Sequence, residues 1–206
     1  MGMPSETDLW ASELRIDDPR ENPWQELRKH LQRVVPVGTV AKPNVLAVTF
    51  IQRERSRAFA DLDRLVVFVR ERFDANVESE LMEKLDLAVA WWRMASSQIV
   101  VAVMGAGVLH AIFMPAGSVV VTFVATGSVS FKVAAAPVLR ALALCSIQAM
   151  AVMRWDGRGI FDATSGIQNV STVSIPLSAL DSLLQAAVRW LGRPLPAIPD
   201  RIVWYT

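Results

Sequence analysis

Arg53, Arg55 and Arg57 alternate along a polar segment that follows directly on an apolar run, Val45-Leu46-Ala47-Val48-Thr49-Phe50-Ile51. A guanidinium is a planar fork that meets phosphate oxygens two at a time, so arginines at a strand end suit a diphosphate. Further on, a second β-branched run, Ile99-Val100-Val101-Ala102-Val103, leads into Gly105-Ala106-Gly107. Glycines there let the chain turn sharply and leave backbone amides uncovered. If the two runs are neighbours in one sheet, arginines and glycine turn open on the same crevice. On composition the arginine segment has a plainer reading, a solvated loop in which Glu54 is the ion partner.

The elements that must position these residues follow from apolar periodicity. Pro23 opens a helix carrying Trp24, Leu27, Leu31 and Val34 at helical spacing. Helices are expected over 61–73 and 81–95, with a short strand near 75–77 between them. The stretch 98–124 is expected to form a buried strand, the glycine turn, a short helix and a second buried strand, Val119-Val120-Val121-Thr122-Phe123-Val124. Continuous apolar strands suit a parallel sheet covered on both faces. Beyond it, a helix is expected from near Ala136, because Pro137 favours a first turn, then a strand over 147–153 and a loop over 154–171. A last helix, 178–191, is expected to have Ser178 as its N-cap and to end at Gly192. Alternating helices and buried strands define an α/β chain with a Rossmann-like, mainly parallel sheet and helices on both faces. Three regions are expected: a polar arm over 1–22, the lobe over 23–192, and an extended tail over 193–206.

Composition narrows the function classes. The 206 residues carry a formal net charge of +1, which argues against a nucleic-acid surface. Cys145 is the only cysteine and His30 and His110 the only histidines, so disulfide frameworks and Cys/His metal centres are not expected. Residues 94–131 contain no Asp, Glu, Lys or Arg, long enough for a span of about 20 residues. Their glycines, Pro115 and central His110, with strand formers at the two ends, favour a buried sheet over a membrane helix. The acidic N-terminus has no apolar core of a signal peptide. The glycine turn lacks the third glycine of the dinucleotide fingerprint, with His110 standing in its place. Gly-x-Ser-x-Gly is absent, so a hydrolase elbow has no support. Asn169-Val170-Ser171 fits a glycosylation acceptor. Trp10, Trp24 and the terminal Trp204-Tyr205 are candidate anchors for a protein partner.

The order of Phe50-Ile51-Gln52-Arg53-Glu54-Arg55-Ser56-Arg57, a helix, and then Met104-Gly105-Ala106-Gly107-Val108-Leu109-His110-Ala111-Ile112-Phe113-Met114-Pro115-Ala116-Gly117-Ser118 resembles the family-61 glycosyltransferases. These include O-linked N-acetylglucosaminyltransferases of the secretory pathway and plant xylan-modifying enzymes. The resemblance spans about residues 27–191, and its specific part runs from Gly-Ala-Gly to Gly-Ser. It implies the C-terminal, nucleotide-sugar-binding lobe of a two-lobed GT-B enzyme, with a UDP-sugar as ligand; no metal or other cofactor is expected. Arg53 and Arg57 would face the diphosphate. Gly105, Ala106, Gly107, His110 and Ser118 would line the same crevice. The family's compartment would be the lumen of the ER or Golgi. Two positions depart from the family pattern: Met104 replaces a histidine, and Thr122 stands where an acidic residue is expected. No catalytic residue is therefore assigned. The expected function is that of a glycosyltransferase-like domain, degenerate and non-catalytic on its own, serving as a structural or interaction subunit of a larger assembly. The alternative is a UDP-sugar-binding lobe of an active enzyme completed by a second lobe.

Overall fold

A computed structural model describes residues 23–34, 44–54, 58–124, 129–153, 162–163, 172–191, 193 and 202–205. Its centre is a six-stranded sheet, every neighbouring pair parallel. The strands are β1 (Ala47–Gln52), β3 (Asn76–Leu81), β4 (Ile99–Val103), β5 (Val119–Val124), β6 (Gln148–Met153) and β9 (Ile202–Tyr205), in the order β3-β1-β4-β5-β6-β9. A small second sheet joins β2 (Ala58–Phe59), β8 (Thr172–Ser174) and β7 (Asp162–Ala163).

Helices cover both faces. Successive strand residues point to opposite faces, and β4 and β5 are buried at every position because each face meets its own apolar layer. One layer packs Val100, Ala102, Val120 and Val124 against α3 (Leu87–Ser96), α4 (Val129–Leu144) and the 3-10 segment Ala106–Phe113. Trp24 and Leu31 of α1 (Pro23–Val34) join that side. The other layer packs Val48, Phe50, Val101, Val121 and Phe123 against α2 (Leu62–Phe73), α5 (Leu177–Trp190) and Phe59. The charge-free stretch 94–131 thus supplies β4 and β5, and among the described residues no helix is long and apolar enough to cross a membrane.

Several boundaries differ from expectation for identifiable reasons. Helix α3 begins at Leu87, not 81. The Asp86 carboxylate accepts the Val89 amide at 2.9 Å as an N-cap, which frees residues 76–81 for a longer strand. Pro137 lies inside α4 rather than at its start, on an exposed position. Helix α5 starts after Pro176, so Ser178 is helical and its carbonyl accepts the Ser182 hydroxyl. The tail does not simply run along a surface. Residues 202–205 form β9, with Trp204 in register with Ala151 and Tyr205 with Val152. The N-terminal arm, residues 1–22, and Gly192 lie outside the described residues.

Helix α1 docks at the N-terminal edge of the sheet. Its Arg28 donates from Nη2 to the Met114 carbonyl (2.7 Å) and from Nη1 to the Cys145 carbonyl (3.4 Å), and Gln25 donates to Leu144 (3.0 Å). Arg28 therefore bridges the carbonyl that follows the 3-10 segment Ala106–Phe113 and the one that follows α4, where a cation also complements the helix dipole. Burial pushes the nearby Cys145 thiol up from its ordinary range, and the Arg28 charge offsets this only in part. A raised thiol pKa in the folded state means that the unfolded chain releases this proton first. Its stabilising contribution is complete below the unfolded pKa and is lost as pH rises through the folded one. Stability should therefore fall more steeply above about pH 8.5 in the wild type than in Cys145→Ala. Urea denaturation of both proteins from pH 7 to 10 checks this, and parallel curves would exclude it.

Thr122 is fully buried and its hydroxyl has no hydrogen-bond partner among the described residues. It shares the sheet face of Val120 and Val124, between Ala102 and Ala151 on the neighbouring strands. An unpaired buried hydroxyl costs about 1–3 kcal/mol. The isosteric change Thr122→Val should then stabilise the fold by about 1 kcal/mol, read as a higher urea midpoint at unchanged slope. A lower midpoint would mean that the hydroxyl is satisfied.

Candidate functional site

The connection β1–α2–β3 covers one face of the sheet, and β3–α3–β4 covers the other. The sheet therefore grows in opposite directions from the β1/β4 boundary. Loops leaving β1 and β4 diverge there and open a crevice outside the carboxyl ends of the strands, the usual ligand position in open α/β sheets. A cleft of about 160 Å³ occupies that place, lined by Ile51, Gln52, Arg53, Met82, Glu83, Ala106, Gly107 and His110.

Each wall has a structural cause. Gln52 ends β1 by clamping Phe59: its Nε2 donates to the Phe59 carbonyl (3.3 Å) and its Oε1 accepts the Phe59 amide (2.9 Å). The end of β1 is thus held against β2. Arg53, half-buried on the cleft wall, makes no hydrogen bond or ion pair among the described residues. Glu54 is not its partner; it pairs with Lys84 instead. The second wall is the 3-10 turn Met82–Lys84 that follows β3. The Glu54 amide donates to Glu83 Oε1 at 3.1 Å and ties that turn to the end of β1. Behind it Arg93 of α3 grips Glu78 (2.6 Å) and Glu80 (2.8 Å) of β3 with one guanidinium.

The third wall is the glycine turn. Gly105 is extended, a conformation open to any residue, so the turn does not depend on glycine's φ freedom there. Gly107 allows a close approach: a Cβ on it would stand 3.3 Å from Ile51 Cγ2, a tight contact that would push that side chain by a few tenths of an ångström. The chain continues as a 3-10 segment, in which His110 Nδ1 lies 3.1 Å from the Gly107 carbonyl. A neutral ring donating from Nδ1 leaves Nε2 as an acceptor. Phe113, at the end of the segment, stacks on Trp91 of α3 with centroids 4.4 Å apart, which holds this wall against the helix layer.

The structure therefore brings Arg53, Ala106, Gly107 and His110 onto one cleft, with Gly105 at the start of the turn. Arg57 lies outside the described residues. Ser118 does not join them. It precedes β5 at the opposite edge of the sheet, is buried, and donates weakly to the Ser97 carbonyl (3.4 Å). Six strand residues separate the two edges, about 20 Å. Thr122 also stands away from the cleft, inside β5 rather than after it, so its lack of charge removes nothing from the cleft wall. Met104 is 3% exposed in the apolar layer, with its amide bonded to the Phe123 carbonyl (2.9 Å). Sequence reasoning missed Met82 and Glu83, having placed them inside a helix. The signal that could have found them is Asp86 immediately before Leu87, an N-cap that leaves the preceding turn outside the helix.

A mainly parallel sheet with helices on both faces and a cleft at its topological switch point defines a Rossmann-like α/β lobe. The family model for glycosyltransferase 61 matches residues 11–121, more than half of the chain, and the chain belongs to that family. The matched span starts before the expected one and ends within β5. Comparison with curated proteins finds no match.

Proposed function

We propose that this glycosyltransferase-like domain binds the nucleotide diphosphate of a UDP-linked sugar donor in the cleft at the ends of β1 and β4. The observation that carries the reading is Arg53, a permanent cation on the cleft wall with no partner among the described residues. A half-buried guanidinium without an anion is an incomplete interaction, and a diphosphate completes it with charge-assisted, two-pronged hydrogen bonds. Gly107 keeps the opposite wall low enough for a ligand to lie against backbone. Sugar transfer would need the acceptor held in line with the donor, and a second lobe is the natural source of that positioning.

Met104 favours a second reading, in which the lobe has lost its chemistry and serves as a structural or interaction subunit. At that position the family's imidazole is replaced by a thioether sunk in the apolar layer, which can neither titrate nor bind phosphate. Titration of UDP and UDP-sugars against the protein by calorimetry separates the two. Saturable binding of UDP, strengthened by the attached sugar, supports the donor site. Absence of heat and of any thermal shift with every nucleotide tested would leave the structural reading alone.

A further inference from the structure

We propose that Glu83 is the residue that selects a ribonucleotide, by accepting hydrogen bonds from the ribose hydroxyls of the bound donor; this rests on the reading of the cleft as a nucleotide site. Three observations converge. Glu83 lines the same cleft as Arg53, on the turn that follows β3, the strand beside β1. Its carboxylate is held in place because Oε1 accepts the Glu54 amide, whereas Oε2 takes no bond among the described residues. Its turn is anchored on both sides, by the Glu54–Lys84 ion pair and by the Arg93 fork on β3.

The chemistry of the ligand supports the assignment. An ionised carboxylate only accepts hydrogen bonds, so beside a phosphate-binding arginine it can face hydroxyls but not phosphate oxygens. In a nucleoside diphosphate the ribose is bonded through its 5′ oxygen to the phosphate, so its 2′ and 3′ hydroxyls cannot lie far from Arg53. An acidic residue closing the strand next to the phosphate-binding crevice meets ribose in other open α/β sheets for the same reason. The cleft volume, about 160 Å³, is below the roughly 300–1,000 Å³ of a site for a whole drug-sized ligand. It suits one ring of the donor rather than all of it.

Calorimetric titration of the full chain with UDP, 2′-deoxy-UDP and a UDP-sugar, in wild type, Glu83→Gln and Arg53→Ala, tests this. Glutamine keeps the oxygen that receives the Glu54 amide, so the turn should survive the change, and a thermal melt of each variant confirms the fold. Wild type should prefer UDP over 2′-deoxy-UDP by about tenfold or more, the value of one hydrogen bond to a charged group. In Glu83→Gln that ratio should fall several-fold, because a neutral amide replaces the charged acceptor, while Arg53→Ala weakens both nucleotides together. An unchanged ratio in Glu83→Gln, with UDP still bound, would overturn the assignment and leave the nucleotide site standing. A loss confined to the UDP-sugar would also overturn it, placing Glu83 on the hexose. No UDP binding by the wild type would overturn both readings.

Discussion

Arg53→Ala is expected to weaken UDP binding by about ten- to a hundredfold without loosening the fold. The magnitude follows from what the side chain lacks. With no ion pair or hydrogen bond among the described residues, its removal breaks no polar contact there, and the unliganded stability should change by less than about 0.5 kcal/mol. A bidentate, charge-assisted contact to phosphate contributes about 1.5–3 kcal/mol, which is the stated fold-change in Kd. Arg53→Lys should recover only part of the affinity, because an ammonium keeps the charge and loses the planar fork. Raising ionic strength should weaken wild-type binding more than that of Arg53→Ala, since fewer charges meet in the variant. Calorimetry at two salt concentrations reads all three effects. Equal UDP affinity in wild type and Arg53→Ala would remove this arginine from the site.

Phe113→Ala carries the largest expected cost in stability, about 3–5 kcal/mol. Phe113 is 5% exposed and Trp91 is 3% exposed, and the rings lie nearly parallel, 16° apart. Truncation removes the ring, opens a cavity and forfeits an aromatic pair worth about 0.5–1.5 kcal/mol beyond its buried area. The contact also joins α3 to the end of the 3-10 segment that carries Gly107 and His110. Loss of stability should thus be accompanied by weaker nucleotide binding, as one wall of the cleft loses its backing. Leu87→Ala on the same helix is the control. Leu87 is 47% exposed, and its truncation should cost within about 0.5 kcal/mol. Urea denaturation of the three proteins is the measurement, and a Phe113→Ala midpoint equal to that of Leu87→Ala would refute the argument.

The fold was legible where burial writes an unambiguous pattern. β4 and β5 are continuous β-branched runs bounded by glycine or proline, and only a sheet covered on both faces needs such runs. Arg53 and the glycine turn could be paired in advance because ligand sites in parallel sheets collect at the carboxyl ends of neighbouring strands. The same rule, applied to Ser118, gives the opposite answer once strand direction is known: it enters β5 rather than leaving it. Glu83 was obscured by a local ambiguity, since Leu81 to Leu85 fits an amphipathic helix until Asp86 is recognised as the cap. The 202–205 strand is four residues long, and nothing local separates it from an extended tail. Its identity comes from β6, which offers an open edge. The family resemblance supplied a third kind of information, linking segments distant in sequence. It grouped the glycine turn, which lines the cleft, with Ser118, which lies at the other edge of the sheet and is near the turn in sequence alone.

The side chain of Gln52 joins the two sheets. By holding both backbone groups of Phe59 it takes the place of the peptide partner that a continuous strand would provide. The register of β1 on β4 and that of β2 on β8 are thereby coupled through one amide, at the point where the cleft begins. A shift of the small sheet would be passed to the cleft wall through that one side chain.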